Sequence, residues 1–135
     1  MTTNHTIARD RAEGADQQLS VDVVETPRGV VARIAGEVGM MTAERLGQEL
    51  KRLSTRLTGD AKSPLVVLDL AGVPLIVSIG MGALVGFRKT LRATGRQVKL
   101  AAVQPHVLES LKLARLHKLF EIRSSVDEAL EPDVA

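Results

Sequence analysis

Between Leu65 and Gly95 the chain reads LVVLDLAGVPLIVSIGMGALVGFRKTLRATG, and this stretch leaves few folds open. Leu65-Val66-Val67-Leu68 is a continuous apolar run that closes on Asp69-Leu70. Branched side chains on both sides of an extended segment need cover on both faces, which is the situation of a central strand in a parallel sheet. Gly72 and Pro74 end the strand, and after Leu75-Ile76-Val77 the residue Ser78 stands where a helix N-cap belongs. Gly80, Leu84, Phe87 and Leu91 then fall on one helical stripe, while Arg88, Lys89 and Arg92 lie toward the far end. Gly95 takes the place of a left-handed residue beyond the helix.

The segments around this unit extend the pattern. Leu19, Val21 and Val23 alternate with Ser20 and Asp22 up to the turn Thr26-Pro27-Arg28-Gly29, and Val30 to Gly36 resumes an extended pattern, which predicts an antiparallel hairpin. Thr42 is the expected N-cap of a helix in which Ala43, Leu46, Leu50, Leu53 and Leu57 recur until Gly59-Asp60. Its Glu44, Lys51, Arg52 and Arg56 should face outward. Beyond Gly95, Val98 to Val103 reads as a strand, and Pro105 opens a helix carrying Val107, Leu108, Leu111 and Ala114. Leu119-Phe120-Glu121-Ile122 predicts a last short strand, and Ser125-Val126-Asp127-Glu128 has capping-box spacing ahead of a closing helix with Ala129 and Leu130. Strands and helices alternate once the hairpin is passed. The expectation is an α/β single domain, a mostly parallel four- to five-stranded sheet with an antiparallel N-terminal hairpin, covered by about four helices. Residues 1–17 are expected to form a flexible tail, 18–131 the domain and 132–135 a short C-terminal tail.

Composition removes several functions. A chain of 135 residues with 44% hydrophobic content makes one domain with an ordinary core. The absence of Cys excludes a disulfide framework, thiol catalysis and Cys-ligated metal. A net charge of +2, with two Phe and no Tyr or Trp, supplies neither a basic field nor rings for stacking bases, so no nucleic-acid partner is expected. The polar start has no apolar signal region and no run approaches a membrane span, so the expected location is the cytoplasm, without membrane insertion.

Catalytic groups are equally sparse. His5, His106 and His117 lack the spacing and carboxylate neighbours of a metal site; His106 reads as a solvated helix-start residue and His117 as an exposed loop residue. No Ser or carboxylate stands beside a plausible base, so the reading is not an enzyme, with no cofactor and no metal. Gly80-Met81-Gly82 superficially resembles a phosphate-binding turn but lacks the third Gly and the Lys-Ser/Thr pair. Gly80, Gly82 and Gly86 instead suit close approach of the helix to a strand. Asp69 reads as structural, accepting backbone hydrogen bonds from the next loop. Arg88, Lys89, Arg92, Arg96 and Lys99 read as a solvated basic face, with an acidic partner surface as the minority reading.

The run from Leu65 to Ile122 resembles the STAS domain family, in particular the bacterial anti-sigma factor antagonists, and the likeness extends from about Leu19 to Leu130. Members read vvlDlsgv, then Asp-Ser-Ser/Thr-Gly, then lgaLl, Gg, a following strand, p.v…L…gl..lf and s..eAl. Leu65 to Val73, Gly80 to Leu84, Gly95, Leu100, Val107, Leu111, Leu116 to Phe120 and Ser125 to Leu130 fall into step with this pattern without a gap. The resemblance implies partner switching: the antagonist binds an anti-sigma factor that is also a serine kinase, sigma is released, and phosphorylation of a hydroxyl at the start of the second helix reverses the exchange. A phosphate gains from a helix N-terminus yet brings about two negative charges into a contact surface built for a neutral residue.

The chain departs from its resemblance at that loop. Alignment on Gly80 sets Val77 against the family's Asp, Ser78 against its first Ser and Ile79 against the hydroxyl that is phosphorylated. In Gly36-Glu37-Val38-Gly39, Gly39 replaces a further Asp. Two acidic positions and the acceptor are lost together, and Val77, Ile79 and Met81 leave the loop more apolar, as a binding patch can be. The expected partner-binding residues are Val77, Ser78, Ile79, Gly80, Met81 and Gly82. Three readings follow: an antagonist of a serine-kinase anti-sigma factor without the usual phospho-switch; a scaffold or dimerisation module, as a homodimer or with other STAS proteins, in a signalling or lipid-transport complex; or an antagonist in which Ser78 has become the phosphorylated residue.

Overall fold

The computed structural model describes residues 18–58 and 64–132. The expected tail at residues 1–17, all but the first residue of that at 132–135, and the helix stop at Gly59-Asp60 lie outside the described residues. The sheet is built around β3 (Leu65–Gly72), in which Val66, Val67, Leu68, Asp69 and Leu70 are all buried. β1 (Ser20–Thr26) and β2 (Gly29–Ala35) form the antiparallel hairpin, and β4 (Gln97–Ala101) and β5 (Glu121–Arg123) complete the order β1-β2-β3-β4-β5, parallel from β2 onward. α1 (Ala43–Thr58), α2 (Ser78–Arg92), α3 (Pro105–Leu113) and α4 (Val126–Leu130) alternate with the strands, and a single 3-10 turn, Leu116–Lys118, leads into β5. The strand expected from Leu119 thus begins two residues later, because Leu119 and Phe120 close that turn by donating to Leu116 O.

The register decides how the two faces are covered. Val30, Val66 and Val98 lie abreast, as do Ala32, Leu68, Leu100 and Ile122, and period-two alternation puts both rows on one face. That face holds the main core, with Leu46, Leu50, Leu53 and Leu57 of α1, Leu84, Phe87 and Leu91 of α2, and Val107 and Leu111 of α3. The outward residues of α1, Glu44, Lys51, Arg52 and Arg56, are exposed as its spacing requires. On the opposite face Val31, Val67 and Ala101 cluster with Ala129 and Leu130 of the five-residue α4, with Leu65 and Val126 at the margin. Ser125 caps α4 by accepting the Glu128 N–H at 3.1 Å, whereas the Glu128 carboxylate reaches Ser124 rather than closing the box on Ser125.

Two residues of the expected solvated basic face lie inside the molecule. Lys99 is 1% exposed, and its ammonium donates to Ala129 O at 3.1 Å and, at longer range, to Glu131 O at 3.5 Å. The reason is register: Lys99 lies between Val67 and Glu121 on the face that α4 covers, so its stem is packed and its head meets the carbonyl end of that helix. Arg96 is buried as well, with Nη1 donating to Thr94 Oγ1 at 3.0 Å. Asp69 takes the structural role expected: Oδ1 accepts the Ala71 N–H at 3.0 Å and Oδ2 faces Arg33 Nε at 3.3 Å. His106 is exposed, but His117 is half-buried in the 3-10 turn and its buried Nδ1 has no hydrogen-bond partner among the described residues.

Candidate functional site

Two loops meet at the C-terminal end of the parallel strands. The loop after β2 and the loop after β3 are joined as a short extension of the sheet: Gly36 N–H donates to Gly72 O, Val38 N–H to Leu75 O and Val77 N–H to Val38 O, at 2.8 to 2.9 Å. Val38 and Ile76 form a parallel bridge. Positions 39 and 77, where the resembled family carries acidic residues, therefore flank one ladder although 38 residues separate them in sequence. Thr42 braces the first loop. Its hydroxyl donates to Glu37 O at 2.7 Å and accepts the Gly39 N–H at 2.9 Å, so it stands before α1 as expected but ties the loop rather than capping the helix amides.

The helix start differs from its sequence reading by one residue. Val77, with φ −93° and ψ 171°, is the N-cap of α2 and has no side-chain capping bond. Its carbonyl accepts the Met81 N–H at 3.0 Å, which makes Ser78 the first helical residue. The ladder to Val38 holds Val77 extended and fixes where the helix can begin, so a long-range contact overrides the local capping preference of Ser78. The Ser78 side chain is exposed, and α2 carries no acidic residue in its first turn.

The six expected partner-binding residues are brought to one end of α2, with unequal exposure. Ile79 is 60% exposed. Ser78 and Gly82 are exposed too, while Val77 and Met81 are half-buried against the core and present only part of their surface. Gly80 is buried and is the residue that joins the loops: a Cβ there would lie 2.4 Å from Val38 Cγ1 and 3.0 Å from Ile76 Cγ1. The close approach expected of three glycines is thus carried by Gly80 alone, since a Cβ at Gly82 or Gly86 would meet nothing within 4 Å. Gly80→Ala is expected to force the stiff Val38 and Ile76 apart and to cost about 1–3 kcal/mol of stability, the usual penalty of overpacking. A urea unfolding midpoint equal to that of the natural chain would refute this.

Sequence reasoning missed the other half of the surface. Met40 and Met41, 75% and 72% exposed, follow the bridge residue Val38 after Gly39 and belong to the same end of the sheet as Ile79. Their signal was present in two adjacent methionines between Gly39 and Thr42, in a loop that offers no stripe to bury them. Among the described residues, no group of three or more His, Asp or Glu side chains is placed to hold a metal ion, and no helix is long and apolar enough to cross a membrane.

Known structures share this fold. An anti-sigma factor antagonist from Mycobacterium paratuberculosis superposes with a TM-score of 0.69 at 26% identity, over 86% of this chain and 93% of that one. SpoIIAA, a Bacillus cell fate determinant, in its phosphorylated form gives 0.60 at 16% identity over 84% and 96%. A sulfate transporter family protein from Wolinella succinogenes gives 0.64 at 21% identity over 79% and 85%. The last two likenesses concern the fold. The STAS domain family model matches residues 20–129, from the first strand through the buried Ala129 of α4, and the chain belongs to the STAS domain family.

Proposed function

We propose that the chain is a cytoplasmic anti-sigma factor antagonist, a regulator of transcription that acts by binding an anti-sigma factor of the serine-kinase type and that is not switched off through position 79. The observation that carries this reading is the exposure of Ile79, Met40 and Met41 at the joined loop ends. Large apolar side chains held at the surface by a rigid ladder are suited to burial against another protein, and Met adapts to an irregular partner surface. The likeness to the Mycobacterium paratuberculosis antagonist supports the partner class. Binding would be controlled by the abundance of the chain or by a competing protein, because Ile79 has no hydroxyl to carry phosphate.

A second reading rests on Ser78. Its hydroxyl is exposed and relieved of the capping role, at the start of a 15-residue helix with no acid in its first turn. A phosphate there would find free amides and a favourable dipole while adding charge to the apolar surface. Both readings are tested by recovering partners of the tagged chain from its own lysate and scanning the bait for phosphate. A kinase-type anti-sigma factor supports the antagonist reading, and phosphate on Ser78 supports the second. Recovery of further copies, other STAS proteins or lipid-transport components in its place would favour the scaffold or dimerisation module.

The methionines give a separate prediction. Met40→Asp with Met41→Asp is expected to weaken partner binding by tenfold or more, about 1.4 kcal/mol or above, with no loss of stability, since both side chains are exposed. Calorimetric titration of the purified pair measures it, and equal affinity would confine the contact to the start of α2.

A further inference from the structure

The basic residues that the partner surface does not use line a cavity at the other end of α2. Its volume is about 320 Å³, and its walls include Arg88 and Arg92 of α2, Arg96, Gln97 and Glu121 at the starts of β4 and β5, and Leu119. The 15 residues of α2, at about 1.5 Å each, put it roughly 20 Å from Ser78. The charges do not cancel. Both Glu121 carboxylate oxygens are already engaged, one by Arg123 and the other by Gln97 Nε2 at 2.8 Å. Arg88 and Arg92 make no ion pair with any described residue.

Arg88 Cζ lies 5.9 Å from the centroid of the Phe120 ring, a cation–π contact that biases its side chain toward the pocket wall. Arg96 is buried, with Nη1 donating to Thr94 Oγ1, and forms part of the wall. Arg92 is exposed at the mouth. The carbonyl end of α2 disfavours an anion, and the two guanidinium groups of Arg88 and Arg92 outweigh it.

The geometry points to a binding site for a phosphomonoester, in which Arg88 and Arg92 grip the phosphate oxygens. A phosphate monoester carries between one and two negative charges at neutral pH, matching the two unpaired guanidinium groups, and arginine forks fit its oxygens bidentately. The cavity is at the small end of ligand pockets and holds a phosphate with a sugar-sized or side-chain-sized group. The chemistry of the grip is the same for a phosphate on a free metabolite and for one on a phosphorylated side chain of a partner.

The test is an amide-resolved NMR titration of the full chain at constant ionic strength, with ribose 5-phosphate, with a short phosphoserine peptide, and with ribose as the neutral control. Saturable shifts centred on Arg92, Gly95 and Gln97 are expected from the phosphorylated probes alone. Arg92→Gln and Arg88→Gln, made separately, should each weaken binding by about tenfold or more, the scale of a lost charge-assisted contact. Tighter binding of the sugar phosphate supports the site with a free metabolite as its source, and tighter binding of the peptide supports it with a modified partner. Shifts that never saturate, shifts produced equally by ribose, or equal affinity in both variants would overturn the site.

Discussion

Lys99→Ala is expected to lower the stability of the domain by about 3–5 kcal/mol, a large share of the 5–15 kcal/mol that holds a domain together. Two losses combine. Removing the buried stem leaves a cavity beside Val67 on the face that α4 covers, and Ala129 O loses the donor that approaches it at 3.1 Å. Lys99→Met separates them. Met keeps most of the volume and deletes the donor, so its cost should fall to about 1–3 kcal/mol, the penalty of a buried carbonyl left unsatisfied. Desolvation of the ammonium works the other way, since burying a charge is itself expensive. The bonds to carbonyls at the negative end of α4 decide the sign, and urea unfolding of the two variants measures it. A Lys99→Met chain more stable than the natural one would mean that desolvation outweighs those bonds.

Lys99 also shows where sequence reasoning runs out. In sequence, Arg96 and Lys99 continue the basic run of Arg88, Lys89 and Arg92 and read with it as a solvated face. The clue was positional. A parallel strand with neighbours on both sides has two covered faces, so an inward lysine needs an acceptor, and the carbonyl end of a following helix is one. Which helix covers that face is a non-local fact. By contrast, the hairpin, the Leu spacing of α1, the buried run of β3 and the Ser125 cap depend on neighbours within a few residues, and each was legible.

The same division runs through the candidate site. The loop from Val77 to Gly82 could be picked out because its residues depart together from a family pattern. Its geometry could not, because the Val38–Ile76 bridge extends Val77 and shifts the helix start onto Ser78. Gly80 appeared as one of three equivalent glycines, and only the position of Val38 across the ladder singles it out. Met40 and Met41 were invisible as partners of Ile79 for the same reason.

Ile79→Asp should separate binding from folding in opposite directions. Ile79 is 60% exposed and sits at the second position of α2, so replacing it sacrifices little burial. An aspartate there adds the acid that the first helical turn lacks, and its interaction with the helix dipole is worth about 0.3–1 kcal/mol in favour of folding. On a contact surface the same carboxylate must be desolvated without a partner, which costs about 2–5 kcal/mol of binding, or roughly thirtyfold to several thousandfold in affinity. Ile79→Ala isolates the remaining term: it removes apolar area without adding charge, and its effect on binding should stay near 1–2 kcal/mol. The expected order of affinities is natural chain, Ile79→Ala, then Ile79→Asp, with the Asp chain at least as stable to urea as the natural one. Calorimetry against the recovered anti-sigma factor gives the first ranking and unfolding midpoints give the second. Unchanged binding by Ile79→Asp would move the contact off this end of α2, whereas a fall in binding accompanied by a fall in stability would show that Ile79 holds the loop rather than the partner.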